Sequence, residues 1–318
     1  MAFALSSTEV DRDTLRGMAL MVGAAVVMPC LDAVAKWLGQ SMSPAQIAVM
    51  RFALQTGLLA VALTLARRPL VDRLVLKAFP KLALAGAFTS VATLVFFWGL
   101  QVLPLANAVA IFFVAPLILT AFGALFLGER VGLHRGAAVV VGLVGALIVI
   151  RPNFLEFGWI AILPLIAATA FAAVMTTLRS ARLALDGFRT QLVTGAFAGG
   201  ILAIGLVLGT LLDISVFEVS VPAADLVPLI VALGVLGTLG GAMMVFAMRF
   251  GEASLLAPLQ YVEIVAAVML GYLVFHEWPD ALTFLGMAII LAAGLYTVHR
   301  ERRRVRNRPL AASPGAHP

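Results

Sequence analysis

Long apolar runs follow one another through almost the whole chain, and they limit what it can fold into. One of them, residues 105–127, contains no charged side chain. A hydrocarbon core of about 30 Å needs roughly 20 apolar residues per helical crossing. A membrane β-barrel would show short segments of alternating polarity instead. Because helices satisfy their own backbone groups inside lipid, the sequence predicts an all-α integral membrane protein.

Ten apolar segments of sufficient length are separated by short connections, several of which contain Pro or Gly. The predicted membrane-spanning helices are residues 16–37, 44–66, 78–101, 104–127, 132–150, 158–178, 190–212, 224–248, 253–275 and 281–299. No cleavable signal peptide is evident before the first of them, so residues 1–15 are expected to form a short cytoplasmic segment.

The distribution of basic residues predicts how these spans are oriented. If the N-terminus is cytoplasmic, nearly all of the 22 Lys and Arg residues lie in inner connections or in the tail at residues 300–318. Asp213, Glu218 and Asp225 then share one outer loop. This asymmetry is the one expected for inner-membrane proteins, so both termini are predicted to be cytoplasmic.

The net charge of +6 does not indicate a nucleic-acid partner, because six arginines are concentrated in the tail. A basic run next to a membrane span suits the anionic lipids of the cytoplasmic leaflet, so the expected partner there is lipid. Cys30 is the single cysteine, and the four histidines fall in connections, at the ends of spans or near the C-terminus. No metal site and no cofactor are therefore expected.

An internal repeat is visible when residues 105–152 are laid on residues 253–300 without a gap. Gly123 then meets Gly271, and Glu129 meets Glu277. The hydropathy agrees, with five spans in residues 16–152 and five in residues 153–299. Because five is odd, the second copy must enter the membrane from the opposite side. Inverted repeats of this kind recur in secondary transporters, where they support alternating access.

Three motifs carry a resemblance to a known family. They are a Pro and an Arg seven residues apart at Pro44–Arg51, "ANAVAIFFVAPLILTAFGALFLGERV" at residues 106–131, and "EASLLAPLQYVEIVAAVMLGYLVFHEWP" at residues 252–279. With ten spans in two halves, the chain resembles the EamA-type branch of the drug/metabolite transporter superfamily. The resemblance implies a secondary active transporter of a small organic solute, such as an amino acid, a vitamin or a cofactor-like metabolite, in the cell inner membrane.

Charges inside the first two spans are costly, and each needs a partner or a wet cavity. Asp32 and Lys36 share one helix face, so they are expected to pair. Arg51 is expected at a similar depth, and the three groups together carry one net positive charge. Two interpretations stay open: an ion-pair network tying spans 1 and 2, or a polar cavity wall that binds an anionic or zwitterionic solute.

Glu263 is the other deep charge, and Gln260 and Tyr261 precede it in span 9. An apolar environment favours the protonated form of an acid, so Glu263 is a candidate for proton coupling. The alternative is a structural partner for Arg51 across the two halves. Gln260 and Tyr261 are candidates for the solute site, and Trp98 and Asn107 are weaker ones.

Glu129 and Glu277 lie at span ends, and they are expected to brace the loops after the fourth helix of each half. The chain has no P-loop and no HExxH motif, so neither ATP hydrolysis nor zinc-protease chemistry is predicted. An intramembrane enzyme and a non-transporting scaffold remain the alternatives to a transporter. The sequence does not distinguish a monomer from a homodimer.

Overall fold

The computed structural model describes residues 7–129, 133–181, 185–251 and 253–306. Regular structure in these residues is helical throughout. Nine described segments are long and apolar enough to cross a membrane, which agrees with the predicted all-α membrane fold. The last part of the predicted basic tail, residues 307–318, lies outside the described residues.

The described residues form twelve α-helices. They are α1 (Ser7–Leu38), α2 (Pro44–Leu65), α3 (Arg73–Val102), α4 (Leu105–Phe112), α5 (Ala115–Leu127), α6 (Leu133–Phe157), α7 (Leu163–Ser180), α8 (Gly187–Leu211), α9 (Val227–Phe250), α10 (Ala253–Leu256), α11 (Val262–Phe275) and α12 (Ala281–Arg306). Short 3₁₀ turns at Gly158–Ile162 and Ala257–Tyr261 join α6 to α7 and α10 to α11.

The helix boundaries depart from the predicted spans in two ways. The fifth and sixth predicted spans share one continuous helical segment, Gly136–Ser180, because the turn between α6 and α7 is itself helical. The fourth and ninth predicted spans are each interrupted, after Phe112 and at Ala257–Tyr261. Pro116 and Pro258 lie at these interruptions, where a residue without an N–H leaves the helical ladder incomplete.

Helix packing brings together segments that are far apart in sequence. α1 packs against α9 and α11, and α3 packs against α7 and α8. α2 lies against α8 and α9, and α6 runs along α12. The main apolar core is drawn from both ends of the chain, with fully buried side chains such as Leu31, Leu105 and Ile290. Each half of the sequence therefore buries much of its apolar surface against the other.

The ends of α5 and α11 have the same backbone geometry. Gly128 follows α5 with a φ of 68°, and His276 follows α11 with a φ of 57°. The next N–H, from Glu129, donates to the carbonyl oxygen of Gly123 at 3.0 Å. The corresponding N–H of Glu277 donates to the Gly271 carbonyl oxygen at 2.9 Å. Both are left-handed helix ends of the type that satisfies free carbonyls.

Candidate functional site

The partner of Lys36 is Glu277, and the predicted pairing of Lys36 with Asp32 is wrong. The Lys36 Nζ lies 2.8 Å from the Glu277 Oε1. Lys36 and Asp32 lie one turn apart on α1. The carboxylate that contacts the lysine belongs to Glu277, which follows α11 near the other end of the chain. Local spacing predicts which residues share a helix face, whereas the packing of α1 against α11 decides which of them meet.

The Lys36–Glu277 pair also contacts the ends of two other helices. Lys36 donates to the carbonyl oxygen of Leu103 at 2.5 Å, and its Nζ lies 5.3 Å from the centroid of the Phe275 ring. Glu277 accepts the backbone N–H of Leu105 at 2.9 Å, at the first turn of α4. These contacts join α1 to the start of α4 and the end of α11, a bracing arrangement of the kind expected for Glu277.

Asp32, Arg51 and Glu263 form a second charged group, contributed by α1, α2 and α11. Asp32 is 8 % exposed, and its charge interacts with that of Arg51 and with that of Glu263. Since Lys36 is neutralised by Glu277, this group contains two acids and one base. The net positive cavity expected from Asp32, Lys36 and Arg51 is therefore not what the structure assembles.

The guanidinium of Arg51 is held by polar and aromatic neighbours. Its Nη1 donates to the Thr93 hydroxyl at 3.4 Å, and its Cζ lies 5.0 Å and 5.8 Å from the ring centroids of Phe52 and Phe97. Gln55 is buried one helical turn further along α2. Neither Thr93 nor Gln55 is among the site residues predicted from the sequence, although Gln55 is spaced to share one face of α2 with Arg51.

Tyr261 and Gln260 lie on the 3₁₀ turn that precedes Glu263. The Tyr261 ring is buried and contacts Phe113 with 5.4 Å between ring centroids. Its hydroxyl lies against Gly294 of α12, where a side chain would collide with it. Gln260 is half-buried. The turn therefore positions the Tyr261 ring between α12 and the interruption that separates α4 from α5.

Trp98 and Asn107 make separate contacts. Trp98 packs against Trp159 with ring centroids 5.0 Å apart, and it lines a cavity of about 350 Å³ beside the α1–α2 connection. The Asn107 Nδ2 donates to the Oδ1 of Asn153 at 2.9 Å, and this buried partner is not among the residues predicted from the sequence. No group of three metal-ligating side chains occurs in the described part of the chain.

Comparisons with known proteins agree with this architecture. The family described as the EamA-like transporter family matches residues 15–151. An uncharacterized transporter of Helicobacter pylori is 30% identical over 220 residues, which cover 68% of this chain and 72% of the relative. A riboflavin transporter of Rhizobium johnstonii is 29% identical over 217 residues, which cover 65% of this chain and 66% of the relative.

An S-adenosylmethionine uptake transporter of Rickettsia bellii is 26% identical over 206 residues, which cover 65% of this chain and 68% of the relative. A solved crystal structure has a TM-score of 0.59 to this protein at 20% identity, and the match covers 90% of this chain and 99% of the other. This last match concerns the fold alone. The chain therefore belongs to the EamA-like transporter family, whose members are transporters and not enzymes, and it is a multi-pass protein of the inner membrane.

Proposed function

We propose that this protein is a secondary active transporter that moves a small organic metabolite across the inner membrane by alternating access, coupled to protons. The observation that carries the proposal is the group of Asp32, Arg51 and Glu263, in which Asp32 is buried and the other two are half-buried. Asp32 interacts electrostatically with both other side chains, and the three residues come from helices at opposite ends of the chain. Ionisable residues within membrane helices are costly, and they mark substrate or proton pathways.

The proposed topology has ten spans with both termini in the cytoplasm. The long segment Gly136–Ser180 provides two of the ten, joined by the turn at Gly158–Ile162. Polar contacts between segments distant in sequence support this arrangement. Arg189 pairs with Asp72, two residues that the charge pattern puts on the inner side. Gln46 donates to the carbonyl oxygen of Ser220 at 2.6 Å, and the charge pattern puts both on the outer side.

The proposed repeats are residues 16–152 and 153–299, inserted in opposite senses. The helix contacts support them, because α1 packs on α9 as α7 packs on α3, and α2 packs on α9 as α8 packs on α3. Exchanging the first, second and third helices of one half for those of the other leaves this pattern unchanged. The matching ends of α5 and α11 add local support. Two similar halves allow two states of similar energy, as alternating access requires.

The proposed solute site lies in the seam between these halves. Asp32, Arg51, Gln260 and Tyr261 are its central residues, and Glu263 is the proton carrier. Lys36 borders the site at its outer edge, tied to Glu277 in this conformation. The proposed outer lining is Trp98 and Asn107. Aromatic walls with a few polar groups are typical of small-molecule sites.

Transport into proteoliposomes tests the proposal. Riboflavin and S-adenosylmethionine, the solutes named for two relatives, are the first labelled solutes to use, with and without an imposed pH gradient. Glu263→Gln keeps the shape of the side chain but removes its titration. We expect it to abolish stimulation by the gradient while solute exchange across the membrane continues, because exchange requires no net proton movement.

Asp225→Asn is the matched control, because Asp225 is an exposed acid outside the bundle. It should leave gradient-driven transport unchanged. Gradient-driven uptake that persists in Glu263→Gln would remove Glu263 from the coupling mechanism. Absence of transport for every solute in a broad metabolite screen would refute the transporter itself.

A further inference from the structure

Two buried polar atoms on α2 have no hydrogen-bond partner. They are the Nε of Arg51, which is a donor, and the Oε1 of Gln55, which is an acceptor. Gln55 is 8 % exposed. A buried polar group without a partner is destabilising, so two of them on consecutive turns of one helix need an explanation. A ligand that pairs with both in another conformation provides one.

The two atoms face the same point on α9. A Cβ built at Gly237 would lie 3.2 Å from the Gln55 Oε1 and 3.5 Å from the Arg51 Nε. The glycine thus allows the backbone of α9 to close over both atoms. Any larger residue at this position would meet Gln55 and the Leu31 side chain, which lies 3.2 Å from the same point.

The rest of the Arg51 side chain is already held, by the Thr93 hydroxyl and by the rings of Phe52 and Phe97. These contacts fix the guanidinium while its Nε–H stays available toward α9. The site therefore offers one N–H donor and one amide acceptor side by side. A matching group must present an acceptor next to a donor, as the C=O and N–H of an amide or imide do.

A carboxylate matches this pair poorly. It has acceptors only, so one of its oxygens would face the Gln55 oxygen. Lys36 is occupied by Glu277, so it adds no attraction for an anion. A neutral edge with one acceptor and one donor avoids the contact between two oxygens.

We propose that Arg51 and Gln55 bind the amide or imide edge of the transported solute when α9 moves away at Gly237. This inference rests on the proposed transport function, because the atoms are covered in the conformation described here. Arg51 donates from Nε–H to the carbonyl oxygen of the solute, and Gln55 accepts its N–H. Gln55 is then a residue that determines which solutes are selected.

Equilibrium binding to the full chain in lipid nanodiscs tests this selection. The probes are riboflavin and uridine, which carry an imide, their N3-methyl analogues, which lack its N–H, and glutamate as a carboxylate without such an edge. We expect at least one imide compound to bind and N3-methylation to weaken it about tenfold, since one lost hydrogen bond leaves Gln55 unpaired. Gln55→Leu should remove this discrimination, and Gln55→Met provides a second side-chain shape.

Gln191→Leu is the matched control, because Gln191 also has a buried side-chain oxygen against α9. Unlike Gln55, Gln191 is hydrogen-bonded to α9, since its Nε2 donates to the Gly241 carbonyl oxygen at 3.1 Å. It should leave the discrimination intact. Binding of glutamate alone, binding of no imide compound, or discrimination that survives in both Gln55 variants would overturn the proposal. Gradient-driven glutamate uptake by a protein that binds no imide would leave the transport function standing and remove this inference only.

Discussion

The ion pair between Lys36 and Glu277 makes a quantitative prediction about stability. The Lys36 side chain is 10% exposed and the Glu277 side chain is 26% exposed, so Glu277 is partly hydrated and Lys36 is nearly dry. Breaking a fully buried pair costs about 3–5 kcal/mol. Because Glu277 is partly hydrated and keeps the Leu105 N–H as a partner, we expect Lys36→Met to cost less, about 2 kcal/mol.

Glu277→Gln should cost a similar amount. The glutamine still accepts the Leu105 N–H, but Lys36 loses its counter-charge and keeps only the Leu103 carbonyl oxygen. The double variant should lose less than the sum of the two single variants, by about 1–2 kcal/mol, because neither charge is then left unpaired.

Thermal unfolding of the purified protein in one detergent measures these effects. A loss of about 2 kcal/mol corresponds to roughly 5 °C in melting temperature for a chain of this size. Arg16→Gln is the matched control, because Arg16 and Asp13 form an exposed pair at 3.0 Å, with side chains 67% and 44% exposed. Such a pair contributes about 0–1 kcal/mol. Unchanged melting of Lys36→Met, or strictly additive losses in the double variant, would refute this account of the pair.

Two further predictions concern the backbone. His276 has a φ of 57°, a left-handed conformation in which glycine is less strained than other residues, so His276→Gly should raise the melting temperature by about 1–3 °C. Gly128 has the matching φ of 68°, so Gly128→Ala should lower the melting temperature. Shifts of the same sign in the two variants would contradict this reasoning. At the crossing of α6 and α12, a Cβ on Gly145 would lie 3.1 Å from the Gly286 carbonyl oxygen and 3.0 Å from Ile289, whereas one on Gly57 would meet nothing within 4 Å. Gly145→Leu should therefore reduce the folded fraction recovered by size-exclusion chromatography, and Gly57→Leu should not, because close helix approach in membranes depends on small residues.

The helices themselves were largely predictable from the sequence, because the bilayer imposes a length and a polarity on every crossing. The prediction of residues 44–66 for the second span compares with Pro44–Leu65 in the structure. Interruptions were harder to anticipate. The predicted fourth span is continuous in hydropathy, yet it divides at Phe113, where the helix ends although the side chains stay apolar.

The candidate site was predictable as a set of residue types and much less as a set of contacts. An ionisable side chain stands out in an apolar run, so Asp32, Arg51 and Glu263 could be selected without a structure. Gln55 could not be selected in the same way, because a neutral amide in a membrane helix is less unusual and its importance depends on what covers it. Gly237, the residue that covers it, has no side chain by which to be noticed.

What the sequence by itself determined is the class of protein and the location of its apolar helices, since both follow from local hydropathy. Only the tertiary structure decided the partners. It pairs Lys36 with Glu277 instead of Asp32, and it places Asp32 where its charge acts on Arg51 and Glu263. The physical reason is that a charge in a low-dielectric bundle takes the opposite charge that helix packing brings nearest in space, and sequence distance does not determine that packing.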